Sequence, residues 1–86
     1  MRLFIKSYID KISLSDIMNF GRENGIYLSD DETSILLYYL KNNWEDLLYG
    51  DPSPIISEVK EKIDASKSEK IVNLFNCYLD IYKNYL

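Results

Sequence analysis

Histidine is absent from the 86 residues, and cysteine occurs once, at Cys77. Histidine-assisted nucleophilic catalysis is therefore excluded, and one cysteine without histidine supplies too few ligands for a zinc site. Cys77 has no partner for an internal disulfide, which excludes a disulfide-stapled secreted scaffold, and we expect it to pack as a small apolar residue. The sequence therefore predicts no catalytic residue, no cofactor and no metal, and we do not expect an enzyme.

Long hydrophobic runs are also missing. The longest spans residues 35–40, whereas a membrane-spanning helix needs about 18 consecutive apolar residues. Near the N-terminus Lys6 interrupts the apolar residues after a run too short for the core of a signal peptide. We therefore expect a cytoplasmic protein that does not bind membranes.

Basic charge is in short supply, with 10 lysines and arginines against 14 aspartates and glutamates and a net charge of −4. This balance opposes the phosphate attraction that drives nucleic-acid binding. Four lysines lie near one another in the sequence, but acidic residues are interspersed among them. An alternative function, a nucleic-acid-associated regulator, would depend on this local basic patch of Lys60, Lys62, Lys67 and Lys70.

Glycine and proline are few, three and two respectively, and most of them fall where helices are expected to end or begin. Gly25 is typical of a helix stop, and the segment 50–54 is the strongest breaker. Ser29 and Ser66 each precede a glutamate by three residues, the spacing of a capping box, and Ser53 before Pro54 favours another helix start. The sequence predicts helices over roughly 2–12, 14–24, 30–43, 54–64 and 67–85.

Apolar bulk is plentiful, since 47% of the residues are hydrophobic and 14% aromatic, among them Trp44 and eight tyrosines. That bulk can build a core without disulfides or metal. Residues that alternate as in a β-strand are absent over any useful length. We therefore predict one domain, residues 1–86, that is all-α and folds as a compact bundle of about five short helices.

The last predicted helix has an apolar face wider than one packing partner usually covers. Either the four shorter helices wrap it completely as a core helix, or part of the face stays exposed and receives a protein partner or a second copy of the chain. The second interpretation predicts a non-enzymatic protein–protein interaction or self-association module, with no small-molecule substrate implied. Its candidate interface consists of Tyr78, Ile81, Tyr82, Tyr85 and Leu86.

Several segments together resemble a known family. They are Asp16-Ile17-Met18-x-Phe20-Gly21-x-x-x-Gly25-Ile26, Leu28-Ser29, Tyr39-Leu40-Lys41 and Ser68-Glu69-x-x-x-x-Asn73-Leu74-Phe75. The pattern is similar to a family of short uncharacterised proteins, a domain of unknown function, from Bacillus-type Gram-positive bacteria. The resemblance implies a cytosolic bacterial protein and supplies no catalytic residues. The chain departs from the family at 51–54 and from Cys77 to Leu86.

Overall fold

The computed structural model describes the backbone of residues 2–83 and the side chains of residues 4–80. Within these residues the chain forms α-helices and no β-strand, which confirms the all-α fold class. None of the described helices combines the length and the hydropathy needed to cross a lipid bilayer. The five helices of the described chain are α1 (Arg2–Lys11), α2 (Leu14–Glu23), α3 (Asp30–Leu48), α4 (Ser53–Lys62) and α5 (Ala65–Lys83).

Reciprocal capping boxes start α2 and α3. The Glu32 backbone N–H donates to the Ser29 hydroxyl at 3.1 Å, and the Ser29 N–H donates to the Glu32 carboxylate at 2.8 Å. Ser13 and Asp16 make the same pair of bonds at 3.2 and 2.9 Å. Because each box satisfies two N–H groups that a helix start leaves unpaired, the chain enters both helices at defined residues.

Aspartates cap the starts of α4 and α5, in place of the serines that the sequence suggested. The Ser53 hydroxyl caps nothing; instead the Asp51 carboxylate accepts from the Ser53 N–H at 3.0 Å. The predicted box of Ser66 and Glu69 is wrong as well, because the Asp64 carboxylate accepts from the Ser66 and Lys67 N–H groups at 3.1 and 3.3 Å. An aspartate placed slightly upstream reaches these donors first, so both helices begin earlier than predicted.

Burial of Trp44 carries α3 beyond its predicted end near residue 43. The backbone leaves the helical region at Asn43, with φ −130° and ψ 19°, and then continues helically to Leu48. Trp44 is buried and meets the Tyr49 ring edge-on, with centroids 6.5 Å apart. The segment 44–48 is therefore a continuation of α3 across a kink.

Gly25 ends α2 in the left-handed conformation, with φ 77°. The Gly25 N–H donates to the Arg22 carbonyl, and the Ile26 N–H donates to the Gly21 carbonyl at 2.7 Å, which completes a Schellman motif. A Cβ at Gly21 would lie 2.8 Å from the Ile26 carbonyl oxygen. Gly21 therefore leaves room for the chain segment that follows its own helix.

The tightly packed core lies between α3 and α4. Tyr39 contributes from α3, Ile55 and Val59 from α4, and Ile63 from the position directly after α4. The remaining helices are arranged around this pair: α1 and α2 pack against α3, while α5 packs against α4. The core is thus concentrated on one side of the bundle, which leaves the space between α2 and α5 less well filled.

Candidate functional site: an apolar groove

A cavity of about 270 Å³ lies among α2, α3, α4 and α5, in the less well filled part of the bundle. Its wall consists almost entirely of carbon atoms, and we call it the groove. On the α2 side Ile17, Phe20 and Gly21 line it, and Ile26 and Leu28 of the following loop continue the wall. The Schellman motif positions this side, because it folds the loop back against the last turn of α2.

The α3 and α4 side of the groove is the face of the buried core. Leu36, Leu40 and Leu47 project from α3 at helical spacing, and Ile55 and Val59 project from α4. The core residues among them hardly reach solvent, whereas the three leucines are only half-buried. This wall is therefore rigid at its base and accessible toward its edge.

The α5 side contributes the helix that the sequence singled out. Its apolar residues Ile71, Val72, Leu74, Phe75 and Leu79 are all half-buried, and none of them is fully buried. The first four line the groove together with Tyr78. The other four helices therefore do not wrap the described part of α5 completely, which favours the exposed-face interpretation over the core-helix one.

The start of α5 is held firmly, in contrast to its apolar face. The Lys67 ammonium donates to the Glu32 carboxylate of α3 at 2.8 Å, and Ser68 is 2% exposed. Donation from Lys67 is the main reason that the pKa of Glu32 lies below its ordinary value of 4.5, and the capping bond from Ser29 lowers it further. This ion pair fixes the first turn of α5 next to the first turn of α3.

Across the groove, Phe20 of α2 meets Tyr78 of α5. Their ring centroids are 5.3 Å apart, and the ring planes are inclined at 55°. Both side chains are substantially exposed, 41% for Phe20 and 49% for Tyr78. Two large, solvent-exposed aromatic rings at the edge of an apolar cavity form the rim of a potential docking surface.

One of the two hydroxyl groups that line the groove, that of Tyr39, already has a hydrogen-bond partner. The Tyr39 hydroxyl accepts a hydrogen bond from the Lys62 ammonium at 2.8 Å, and this bond is the main cause of the raised pKa of Lys62. Among the described residues, no group of three or more potential metal ligands comes together. The groove can therefore exclude water from apolar groups, and its wall offers little that would orient a polar substrate.

The predicted interface is only partly covered by the described side chains. Tyr78 lies at the rim of the groove, as described above, whereas Ile81, Tyr82, Tyr85 and Leu86 lie outside the described side chains. The sequence did not reveal the walls that α2, α3 and α4 provide. Helical spacing shows which residues share a face, but it does not show how far apart two facing helices lie.

The four lysines of the alternative basic patch do not act as a free cluster. Lys62 donates to Tyr39 and Lys67 pairs with Glu32, so two of the four are engaged within the protein. Lys60 lies beside a shallow depression that it shares with Glu69, Ser68 and Asn73. The four lysines are thus divided between α4 and α5, and the carboxylates of Glu32 and Glu69 lie close to two of them.

No protein-family model matches the chain, and comparisons with curated proteins and with solved structures found no significant match.

Proposed function

We propose that this protein is a non-enzymatic, cytoplasmic protein–protein interaction module whose groove receives an apolar helical segment of another polypeptide. The observation that carries the proposal is the groove itself: an apolar cavity of about 270 Å³ with exposed aromatic rings at its rim. Surfaces of this kind on small domains are typically sites of association. Membership of the Bacillus-type family remains a prediction.

A helix suits the groove because helices form its walls. The side chains of α2, α3 and α5 present ridges and gaps at helical spacing, into which the side chains of another helix can interdigitate. Amphipathic helices bind such grooves through residues spaced three and four apart. Phe20 and Tyr78 contact each other across the groove, so their paired rings would form one apolar edge against which the bound segment packs.

A polar small molecule fits the groove less well than a helix does. Small-molecule sites combine apolar walls with a few polar groups that fix the orientation of the ligand. Here Tyr39 and Tyr78 bring the only hydroxyls among the residues that line the groove, and Lys62 occupies the first of them. The rest of the groove lining is apolar, and this favours a partner recognised by shape and hydrophobic burial.

The proposal can be tested with a fluorescently labelled helical peptide built from leucine and glutamine at helical spacing. A length of about 14 residues gives a helix of about 21 Å, close to the shortest dimension of the protein, 22 Å. We expect saturable binding by fluorescence anisotropy. Phe20→Asp and Tyr78→Asp should each weaken the binding about ten-fold, because each places a charge at the apolar rim.

Tyr27→Asp is the matched control, because Tyr27 is 71% exposed and lies outside the groove. It should leave the Kd within about two-fold of the wild-type value, since surface changes away from an interface have small effects. Circular dichroism establishes that each variant is folded. Absence of binding, or an equal loss in the Tyr27→Asp control, would show that the groove is not the docking site.

A further inference from the structure

We infer that α5 is a movable wall of the groove, which pivots about its first turn and separates from α2 when a helix docks. This inference rests on the proposed function and adds the conformational change that docking requires. It follows from the volume of the groove, from the uneven attachment of α5, and from the position of the contact between Phe20 and Tyr78.

The groove is too small to receive a whole face of a helix in its present form. Its volume is about 270 Å³, whereas a single ligand of the size of benzene occupies a cavity of about 150 Å³. The groove therefore has room for about two apolar side chains of the size of leucine. Because a docking helix inserts side chains at positions i, i+3 or i+4, and i+7, the walls must separate to admit it.

The start of α5 is attached to the rest of the protein by several kinds of contact. The Lys67 ammonium donates to the Glu32 carboxylate of α3 at 2.8 Å, and this ion pair is only partly exposed. Ser68 is 2% exposed, and about one turn further on Ile71 packs against the buried core. This end of α5 is therefore the fixed end of the pivot.

The remainder of α5 is attached by apolar contact alone. From Glu69 to Asp80, no described side chain forms a hydrogen bond or an ion pair with another helix. None of the residues 72–80 is fully buried, whereas the facing wall contains buried Gly21 and Ile26. Because a segment with few buried contacts separates at a smaller cost in free energy than global unfolding, this part of α5 is the wall that moves.

The contact between Phe20 and Tyr78 closes the groove far from the fixed end. Tyr78 lies about 15 Å from Ser68 along the helix axis, at a rise of about 1.5 Å per residue, so a small rotation of α5 displaces it strongly. Both rings are substantially exposed, and their contact therefore buries little apolar surface. A helix that packs against the paired rings can supply new partners to both, which offsets the contact that they lose.

Distances between spin labels, measured by electron paramagnetic resonance, test the pivot in the folded protein. Cys77 is free and exposed, so Cys77→Ser is the background in which only introduced cysteines are labelled. The rim pair, Asn19→Cys and Asn76→Cys, places labels on exposed positions of α2 and α5. The control is the base pair, Asp31→Cys and Lys70→Cys, on exposed positions near the starts of α3 and α5.

The leucine and glutamine peptide, added to saturation, should lengthen the rim-pair distance by about 4 Å, because an inserted side chain replaces one van der Waals contact between the rings by two. The base-pair distance should stay unchanged, because the labels flank the fixed end of α5. Circular dichroism establishes that the labelled variants are folded, and fluorescence anisotropy establishes that they bind the peptide.

The possible failures are distinguishable from one another. If the peptide binds and the rim-pair distance does not lengthen, the pivot is refuted while the groove remains a docking site. If both distances lengthen together, α5 separates as a whole and the pivot is likewise overturned. If the peptide binds neither the wild-type protein nor the labelled variants, the proposed function fails and the pivot fails with it.

Discussion

The ring of Phe20 on α2 lies 5.3 Å from the ring of Tyr78 on α5, measured between centroids, and the two planes are inclined at 55°. This tilted pair spans the groove at a place where the core beneath it is incompletely filled. It joins two helices whose backbones have little other contact, because α2 packs chiefly on α3 and α5 chiefly on α4. The pair therefore bridges the groove and should contribute to the stability of the fold.

A double-mutant cycle on this pair should reveal coupling. Phe20→Ala and Tyr78→Ala should each lower the free energy of unfolding, and the double variant should lose about 1 kcal/mol less than the sum, because the ring contact can be lost only once. Urea denaturation measures the four proteins. Strict additivity would mean that the rings do not stabilise each other in solution.

A larger apolar side chain of the protein itself should fill the groove, and it should raise the stability of the fold while it weakens peptide binding. Leu74→Phe adds apolar volume at a half-buried position that lines the groove, so it should raise the free energy of unfolding by about 1 kcal/mol and weaken peptide binding. Asn76→Phe adds a ring at an exposed position of the same helix and should do neither. Tighter binding by the Leu74→Phe variant would contradict the assigned site.

The ion pair of Glu32 and Lys67 predicts a pH dependence of stability. The folded-state pKa of Glu32 is lowered from its ordinary 4.5, so its contribution is complete above that value and is lost as the pH falls through the folded-state pKa. Near neutral pH, Glu32→Gln should cost about 0.5–1 kcal/mol, and this cost should shrink toward zero as the pH falls through the folded-state pKa of Glu32. Chemical denaturation at several pH values measures it.

The Lys67→Met background is the control for that experiment. Glu32 accepts its strongest hydrogen bond from Lys67, so without this ammonium the same Glu32→Gln change should cost less near neutral pH. A cost that is identical in both backgrounds and constant with pH would show that the ion pair contributes nothing to stability.

Gly21 should not tolerate even a methyl group. A Cβ there would lie 2.8 Å from the Ile26 carbonyl oxygen and 3.2 Å from a methyl carbon of Leu28. We expect Gly21→Ala to cost about 2 kcal/mol, although alanine is the better helix former, because the Schellman loop must move. Asn19→Ala, at an exposed position on the same helix, should be neutral or slightly stabilising, and thermal unfolding compares the two.

The sequence was sufficient to predict the all-α fold, the Ser29 capping box and the stop at Gly25, because these features depend on neighbouring residues. It misplaced the starts of α4 and α5, where Asp51 and Asp64 reach the N–H groups ahead of the expected serines. It ended α3 too early, because the burial of Trp44 is a tertiary effect that local propensity does not contain.

The candidate site, like the fold, could be predicted from the sequence only in part. Helical spacing on the last helix indicated a face too wide for its expected neighbours, and the structure shows that the described part of this face is incompletely covered. The groove itself could not be predicted, because its volume depends on the distance between α2 and α5. That distance follows from the packing of both helices on α3 and α4, and no local pattern records it.

The most direct test of the docking site is a methyl NMR titration of the folded protein with the leucine and glutamine peptide. We expect shift changes concentrated at Ile17, Leu40, Ile56 and Val72, which line the groove, and little change at Ile9 or Ile12 on the α1 side. Changes concentrated around α1, where Phe4 and Tyr8 are strongly exposed, would contradict it, as would changes spread evenly over the surface.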